Sequence, residues 1–335
     1  MLAVSFQYAA TFLSFWMSSH AVVAIFLPII TEIADVAEDI NDGQQLVKIL
    51  FLSTLWGATI GGNTTLLGGA RGPLALAILN STTSKTVSFS QWTIAVFPIT
   101  LFLSLITTLL ILKITPKIDV KSISIFLDNK AKELGKLTKK QIEIAFVMVI
   151  AIFMWIVFGN QLGLANIALA AVVVLFMLKL ISWREVEEDV NWGVILMYGG
   201  AIVLGQMLNK TGVSNWLISI TKLENLSPVL FITVIVVISI VLTEMMSNSA
   251  AVVILMQLAL PLASKLNLPV EMVAVLIPVS TGFAFLLPMS SPSVALTLST
   301  GYVELKDTVR YGLFLNLVSM ISMIFFINIF WKFIF

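Results

Sequence analysis

The sequence predicts an all-α polytopic membrane protein made of two inverted repeats, each with a re-entrant hairpin and a transmembrane helix unwound at its centre. Three observations predict it. The 335 residues are 59% apolar and only 11% charged, with a mean hydropathy of +1.04, whereas a soluble domain carries about 25% charge. Two polar interruptions, Ser18-Ser19-His20 and Ser247-Asn248-Ser249, sit inside membrane-grade apolar sequence. Each is followed by a second interruption rich in small residues: Gly61-Gly62-Asn63-Thr64-Thr65-Leu66-Leu67-Gly68-Gly69 and Leu287-Pro288-Met289-Ser290-Ser291-Pro292-Ser293. Unpaired backbone groups are too costly in hydrocarbon, so irregular backbone there must line a cavity or be covered by protein. Two such pairs in corresponding places point to a transporter with its site at the interface of repeats.

Taken in order, Met1–Met17 and Ala21–Ile33 are short apolar arms around the first tip. Met1 to Thr31 carries no Asp, Glu, Lys or Arg. It lacks the basic start of a secretory signal and reads as structure. Ile49–Ala58 with Pro73–Leu79 reads as a helix unwound at its centre. Thr86–Leu112 is a full span, since about 20 apolar residues suffice. Ile144–Leu178 is too long for one span and breaks at Gly159-Asn160-Gln161-Leu162-Gly163, giving two helices and a tight turn. Asn191–Asn209 is a further span. Pro228–Thr243 and Ala250–Ser264 flank the second tip, Met272–Phe285 with Val294–Ser299 is the second unwound helix, and Tyr311–Trp331 is the last span. Interhelical hydrogen bonding in an ordinary bundle would also explain one Ser/Asn cluster. Their recurrence in matching order favours hairpins.

Four segments follow: 1–112, transport elements of the first repeat; 113–140, a basic loop; 141–226, scaffold helices of the second repeat; and 227–335, transport elements of the second. The basic loop carries Lys113, Lys117, Lys121, Lys130, Lys132, Lys136, Lys139 and Lys140 against Asp119, Asp128 and Glu133. The positive-inside rule makes it cytoplasmic, and Val120 to Leu137 has the makings of a surface amphipathic helix. Counting spans from there puts Arg184, Lys306 and Arg310 inside as well. The first hairpin then enters from the cytoplasm and the second from outside, so the repeats are inverted. The expected location is the cell (inner) membrane.

Composition also narrows the chemistry. A formal net charge of +1 argues against a nucleic-acid partner. Without cysteine there are no disulfides, thiolate metal sites or cysteine nucleophiles, and the lone histidine, His20, excludes a multi-histidine centre. No cofactor is called for beyond coupling ions. An intramembrane hydrolase is disfavoured: neighbouring Ser19 and His20 cannot pair as nucleophile and base, and no nucleophile-elbow motif is present. Ser, Thr and Asn oxygens with carbonyls freed by unwinding suit sodium, while helix N-termini suit anions. Thr243 precedes Asn248 by five residues, as Ser14 precedes Ser19. Two such tips suit cations flanking one small anionic substrate. Arg71, in the first unwound loop, is functional by default inside a membrane, the alternative being an arginine that snorkels to the interface.

These residues carry a family resemblance. The chain resembles the divalent anion:sodium symporters, carriers of dicarboxylates, citrate and sulfate with an elevator-type transport domain and Ser-Asn-Thr at two hairpin tips. Ser247-Asn248-Ser249, preceded by Thr243-Glu244, looks like the second tip, and Ala284-Phe285-Leu286-Leu287-Pro288-Met289-Ser290-Ser291-Pro292 like the second unwound loop. Ile60-Gly61-Gly62 through Gly68 looks like the first. Gly301-Tyr302, Gly312-Leu313-Phe314-Leu315-Asn316-Leu317, Trp192 to Gly200 and Gly212 to Leu217 extend the likeness. The resemblance implies one sodium at Thr243, Asn248 and the Ser290 backbone, and another at Ser14, Ser19 and the Gly68 backbone, sodium being the only metal. It implies substrate contacts from Ser18, Ser19, His20, Arg71, Ser247, Asn248, Ser249, Ser291 and Pro292. A homodimer in the lipid bilayer is the default.

Three departures matter. The first tip reads Ser18-Ser19-His20, without the family's amide. The first loop reads Gly68-Gly69-Ala70-Arg71-Gly72 where a Pro-Pro-Asn run is usual. Three helices precede the second hairpin and none the first, so the first repeat reads as incomplete: either the chain is a truncated or split half that does not transport without a partner, or a partner chain supplies those helices. His20 and Arg71 together suggest a built-in cation in place of one sodium, giving a sodium-independent exchanger or weaker sodium dependence. Drift in a degenerate first half is the other explanation. On the built-in-cation reading, Arg71→Gln is expected to affect anion binding more than sodium dependence.

Overall fold

The computed structural model describes residues 1–335 apart from Asp39, Asp119, Leu134, Asn191 and 214–225. The connector likeness at Ser214 to Leu217 therefore lies outside the described residues, as does Asn191 at the start of the predicted span. Among the described residues there are fifteen α-helices and no strand. Six helices are long and apolar enough to cross a membrane.

The first section holds α1 (Leu2–Leu13), α2 (Ser19–Ala37), α3 (Gly43–Gly61), α4 (Arg71–Thr83) and α5 (Phe89–Ile114). The middle holds α6 (Lys121–Glu133), α7 (Lys139–Leu162), α8 (Leu164–Met177), α9 (Trp183–Asp189) and α10 (Trp192–Lys210). The last holds α11 (Pro228–Met245), α12 (Asn248–Lys265), α13 (Val270–Thr281), α14 (Pro292–Ser299) and α15 (Leu305–Ile329), closed by a 3-10 turn at Trp331–Phe333.

Local chemistry sets many of the boundaries. Ser88 with Gln91, Thr138 with Gln141, and Ser182 with Glu185 form capping boxes at the starts of α5, α7 and α9. Ser227 caps α11, whose first residue, Pro228, has no N–H to leave unpaired. Gly163, at φ 82°, makes the predicted turn between α7 and α8 in a conformation that disfavours side chains.

The first unwound loop and the second tip are shorter than the sequence suggests, and the first tip and the second loop are longer. Ser18 and Ser247 take the same extended N-cap conformation, φ/ψ −63°/144° and −62°/143°. Ser19, His20, Asn248 and Ser249 consequently lie in the first turns of α2 and α12, not on free tips. Gly62 and Gly282 end α3 and α13 alike, at −65°/−5° and −75°/−16°. Arg71, expected within the first loop, is the first residue of α4. The second unwound helix stops at Thr281 rather than Phe285, because the N–H groups of Phe285, Leu286 and Leu287 donate to the Glu244 carboxylate instead of to helix carbonyls.

Contacts between loops sort the chain into two ends. At one end Met1 to Val4 share a cavity with Thr115 to Ile118 and Val120, Lys130 pairs with Glu32 at 2.7 Å, Lys48 with Asp307 at 2.9 Å, and Lys140 with Glu185 at 3.6 Å. At the other, Lys85 pairs with Glu271 at 2.9 Å. The breaks lie between the ends.

The core is built around the two helices that unwind. Every residue of α3 from Ile49 to Gly61 is buried, and so is all of α13 but Glu271. Two glycines bring α1 against α3: a Cβ on Gly57 would lie 2.3 Å from the Gln7 carbonyl oxygen, and one on Gly61 2.2 Å from that of Thr11. The sections also interlock. Helix α4 packs on α12 and α13 of the last section, while α14 packs on α2 and α3 of the first.

Candidate functional site

Both tips and both unwound loops meet between the two ends of the structure. Thr65 in the first loop donates its hydroxyl to the Phe15 carbonyl, tying loop to tip. Gly62, Gly68 and Ser19 are in contact. A Cβ on Gly68 would fall 2.4 Å from the Gly62 oxygen, and one on Gly62 would lie 3.0 Å from the Gly68 oxygen and 3.4 Å from the Ser19 Cβ. Ser14, at the end of α1, is fully buried and its hydroxyl has no partner among the described residues, the condition of a group that a cation or water completes.

The second tip holds a tighter knot of oxygens. Thr243 Oγ1 lies 2.6 Å from Asn248 Oδ1 and 2.9 Å from the Thr281 carbonyl oxygen. Three oxygens thus converge with one hydroxyl proton among them, an arrangement that favours a hard cation. Ser290 is buried, but its hydroxyl turns back onto Leu287 O at 2.6 Å. The Thr281 carbonyl also takes part in the knot. The adjacent Glu244 accepts from Phe285, Leu286 and Leu287 N–H and from Asn316 Nδ2 at 2.8 Å, fixing the loop that borders the knot.

At the breaks, two contacts join the first and last sections. Ser19 Oγ and Ser293 Oγ are 3.4 Å apart, so the N-terminal turns of α2 and α14 converge, each carrying the positive end of a helix dipole. His20, alongside, is exposed and lies 3.5 Å from the Ser18 hydroxyl through Nε2. Ser291 caps α14 by accepting from Ser293 N–H, and Pro292 beside it is exposed. Ser247 caps α12 by accepting from Ala250 N–H, and Ser249 is half-buried on the same turn.

The other meeting point is Arg71. Its side chain does not snorkel. The residue is 8% exposed, donating from Nε to Pro278 O at 3.2 Å and from Nη2 to Gly62 O at 3.2 Å and Asn63 Oδ1 at 2.7 Å. Asn63 in turn donates to Thr59 O and accepts from Trp92 at its carbonyl. Tyr198 of α10 donates to Ala70 O next door.

Ser19 and Gly68 are therefore brought together, as are Thr243 and Asn248, while Ser14 is buried close by in sequence to the tip. Thr281, Ser293, Asn63 and Glu244 were not assigned roles from sequence, although Thr243-Glu244 was singled out as a pair. The repeated Gly that ends each unwinding helix was the available signal for Thr281.

The chain matches the family described as the sodium:sulfate symporter transmembrane region over residues 2–335. It is 27% identical to the sodium-dependent dicarboxylate transporter SdcS of Staphylococcus saprophyticus, over 96% of this chain and 68% of that protein. It is 28% identical to an uncharacterized transporter of Methanocaldococcus jannaschii, over 93% and 69%, and 26% identical to one of Haemophilus influenzae, over 96% and 71%. With six helices fit to cross a bilayer and a match across its length, this multi-pass membrane protein belongs to the sodium:sulfate, or divalent anion:sodium, symporter family.

Proposed function

We propose that this chain carries a small divalent anion, a dicarboxylate, citrate or sulfate, across the membrane together with sodium. The observation that carries the reading is the pairing of opposite electrostatic ends at one depth. The N-termini of α2 and α14 meet at Ser19 and Ser293, where they favour an anion. The Thr243–Asn248–Thr281 oxygens favour a cation nearby. Ser18, His20, Ser247, Ser249, Ser291 and Pro292 then line the anion's surroundings, and Ser14, Ser19 and Gly68 offer oxygens for a further cation.

On this reading, segments 1–112 and 227–335 are inverted repeats that move as one transport unit against the helices of 141–226, in an elevator cycle. The basic loop 113–140 is cytoplasmic in the cell's inner membrane. The carrier works as a homodimer, or with a chain that supplies further scaffold helices.

The test is uptake of labelled succinate and sulfate into proteoliposomes, with and without an inward sodium gradient. Sodium should stimulate uptake, and Asn248→Ala should reduce it about tenfold or more, since one contact to a charged group is worth about 1.5–3 kcal/mol. Uptake indifferent to sodium would replace symport with exchange. Stimulated uptake that survives Asn248→Ala would remove the knot from the mechanism.

A further inference from the structure

We propose that Arg71 is a tethered cation standing in for one coupling sodium, so that this chain binds a single sodium ion, at the Thr243–Asn248 knot. The inference rests on the carrier reading above. Its basis is where the guanidinium sits. Gly62 O belongs to the cap of α3, and Pro278 O to the last turn of α13. Through Asn63 the same group also steadies Thr59 O of α3. Each helix C-terminus carries about −0.5 elementary charge. Two converging ends present about −1, which one guanidinium neutralises.

A cation on the first residue of α4 faces the positive end of that helix's own dipole, and an ionisable group inside a membrane is expensive. The seat is nevertheless cut to fit. A Cβ on Gly282 would lie 2.0 Å from Asn63 Oδ1 and 2.5 Å from Arg71 Nε, so only glycine leaves room there. The charge also adjoins the oxygens expected to hold a second sodium, because the Gly62 that Arg71 grips packs on Gly68 and Ser19. In a site of low dielectric a second cation so close is strongly disfavoured. Nε and Nη2 of the guanidinium are already engaged by protein oxygens. Its effect therefore belongs to the sodium count, a revision of the expectation that anion binding would change most.

The test counts sodium on the full chain in detergent or nanodiscs, by equilibrium binding of ²²Na⁺ beside labelled succinate and sulfate. Wild type and Arg71→Lys should bind one sodium per chain. Arg71→Gln should bind two, and the sodium dependence of anion binding should steepen from a Hill coefficient of about 1 to about 2, the coefficient being bounded by the number of sites. Two sodium ions on the wild type would overturn the proposal, as would a folded Arg71→Gln that still binds one. Should Arg71→Gln fail to fold, the wild type and Arg71→Lys decide: one in both upholds the inference, two in either overturns it. A wild type that binds one sodium but neither anion fails the carrier reading and leaves the count standing.

Discussion

Glu244 works as a fastener for backbone. Its carboxylate gathers three successive N–H groups and the Asn316 amide, holding open a segment that would otherwise coil on from α13. Glu244→Gln keeps the shape but turns an NH₂ group toward N–H donors. The expected cost is about 2–3 kcal/mol, the scale of one or two lost bonds to a charged group. A fall of several degrees in the thermal unfolding midpoint of the purified protein would register it, and an unchanged midpoint would show that the loop holds itself. At this scale sequence reading reached Thr243, Asn248, Ser19 and Gly68, because each tip and each loop is printed twice. Asn63, Thr281 and Ser293 were out of reach. Their partners are Arg71, Thr243 and Ser19, and two of these pairings join residues far apart in the chain.

Between helices, the decisive contact is the approach of α1 to α3. Gly57 and Gly61, one turn apart, leave no room for a Cβ against the carbonyls of Gln7 and Thr11, as small residues do where membrane helices pack closely. Gly61→Ala should push α1 away and cost about 1–3 kcal/mol, the usual penalty of overpacking. Because Ser14 ends α1 on the first tip and the proposed single sodium sits on the second, the same substitution should leave ²²Na⁺ binding unchanged; weakened binding would make that hydroxyl a ligand. Thermal stability and ²²Na⁺ binding on one preparation separate the two effects. The helices themselves were largely legible: hydropathy marked the spans, and Gly163 marked the turn between α7 and α8. The ends were less so. Periodicity cannot show that Ser18 and Ser247 cap helices, which draws Ser19 and Asn248 into first turns, nor that Glu244 halts α13 at Thr281.

For the molecule as a whole, the charges gather at one end. The loop holding Lys113 to Lys140 lies with the Lys130–Glu32, Lys140–Glu185 and Lys48–Asp307 pairs, linked through neighbouring helices, and Lys85–Glu271 lies opposite. The chain has no cysteine, so single reporters are clean. Lys85→Cys should react with a membrane-impermeant maleimide in intact cells, and Lys136→Cys only after permeabilisation. The reverse pattern would invert the proposed orientation. The matching order of elements was readable from composition and small-residue breaks. That α4 seats on α12 and α13, and α14 on α2, was not, because hydropathy says which segments are buried and not by which neighbours.

That mutual seating constrains how the protein can be made. The first hairpin leaves the ribosome with its polar turn at Ser18 and Ser19 and no floor beneath it, since the floor is α14, whose last residue is Ser299. Arg71 likewise lacks Pro278 as an acceptor until α13 has been synthesised. The early segments must wait in a setting that tolerates bare polar backbone, such as the insertion machinery, and maturation is gated by the last quarter of the chain.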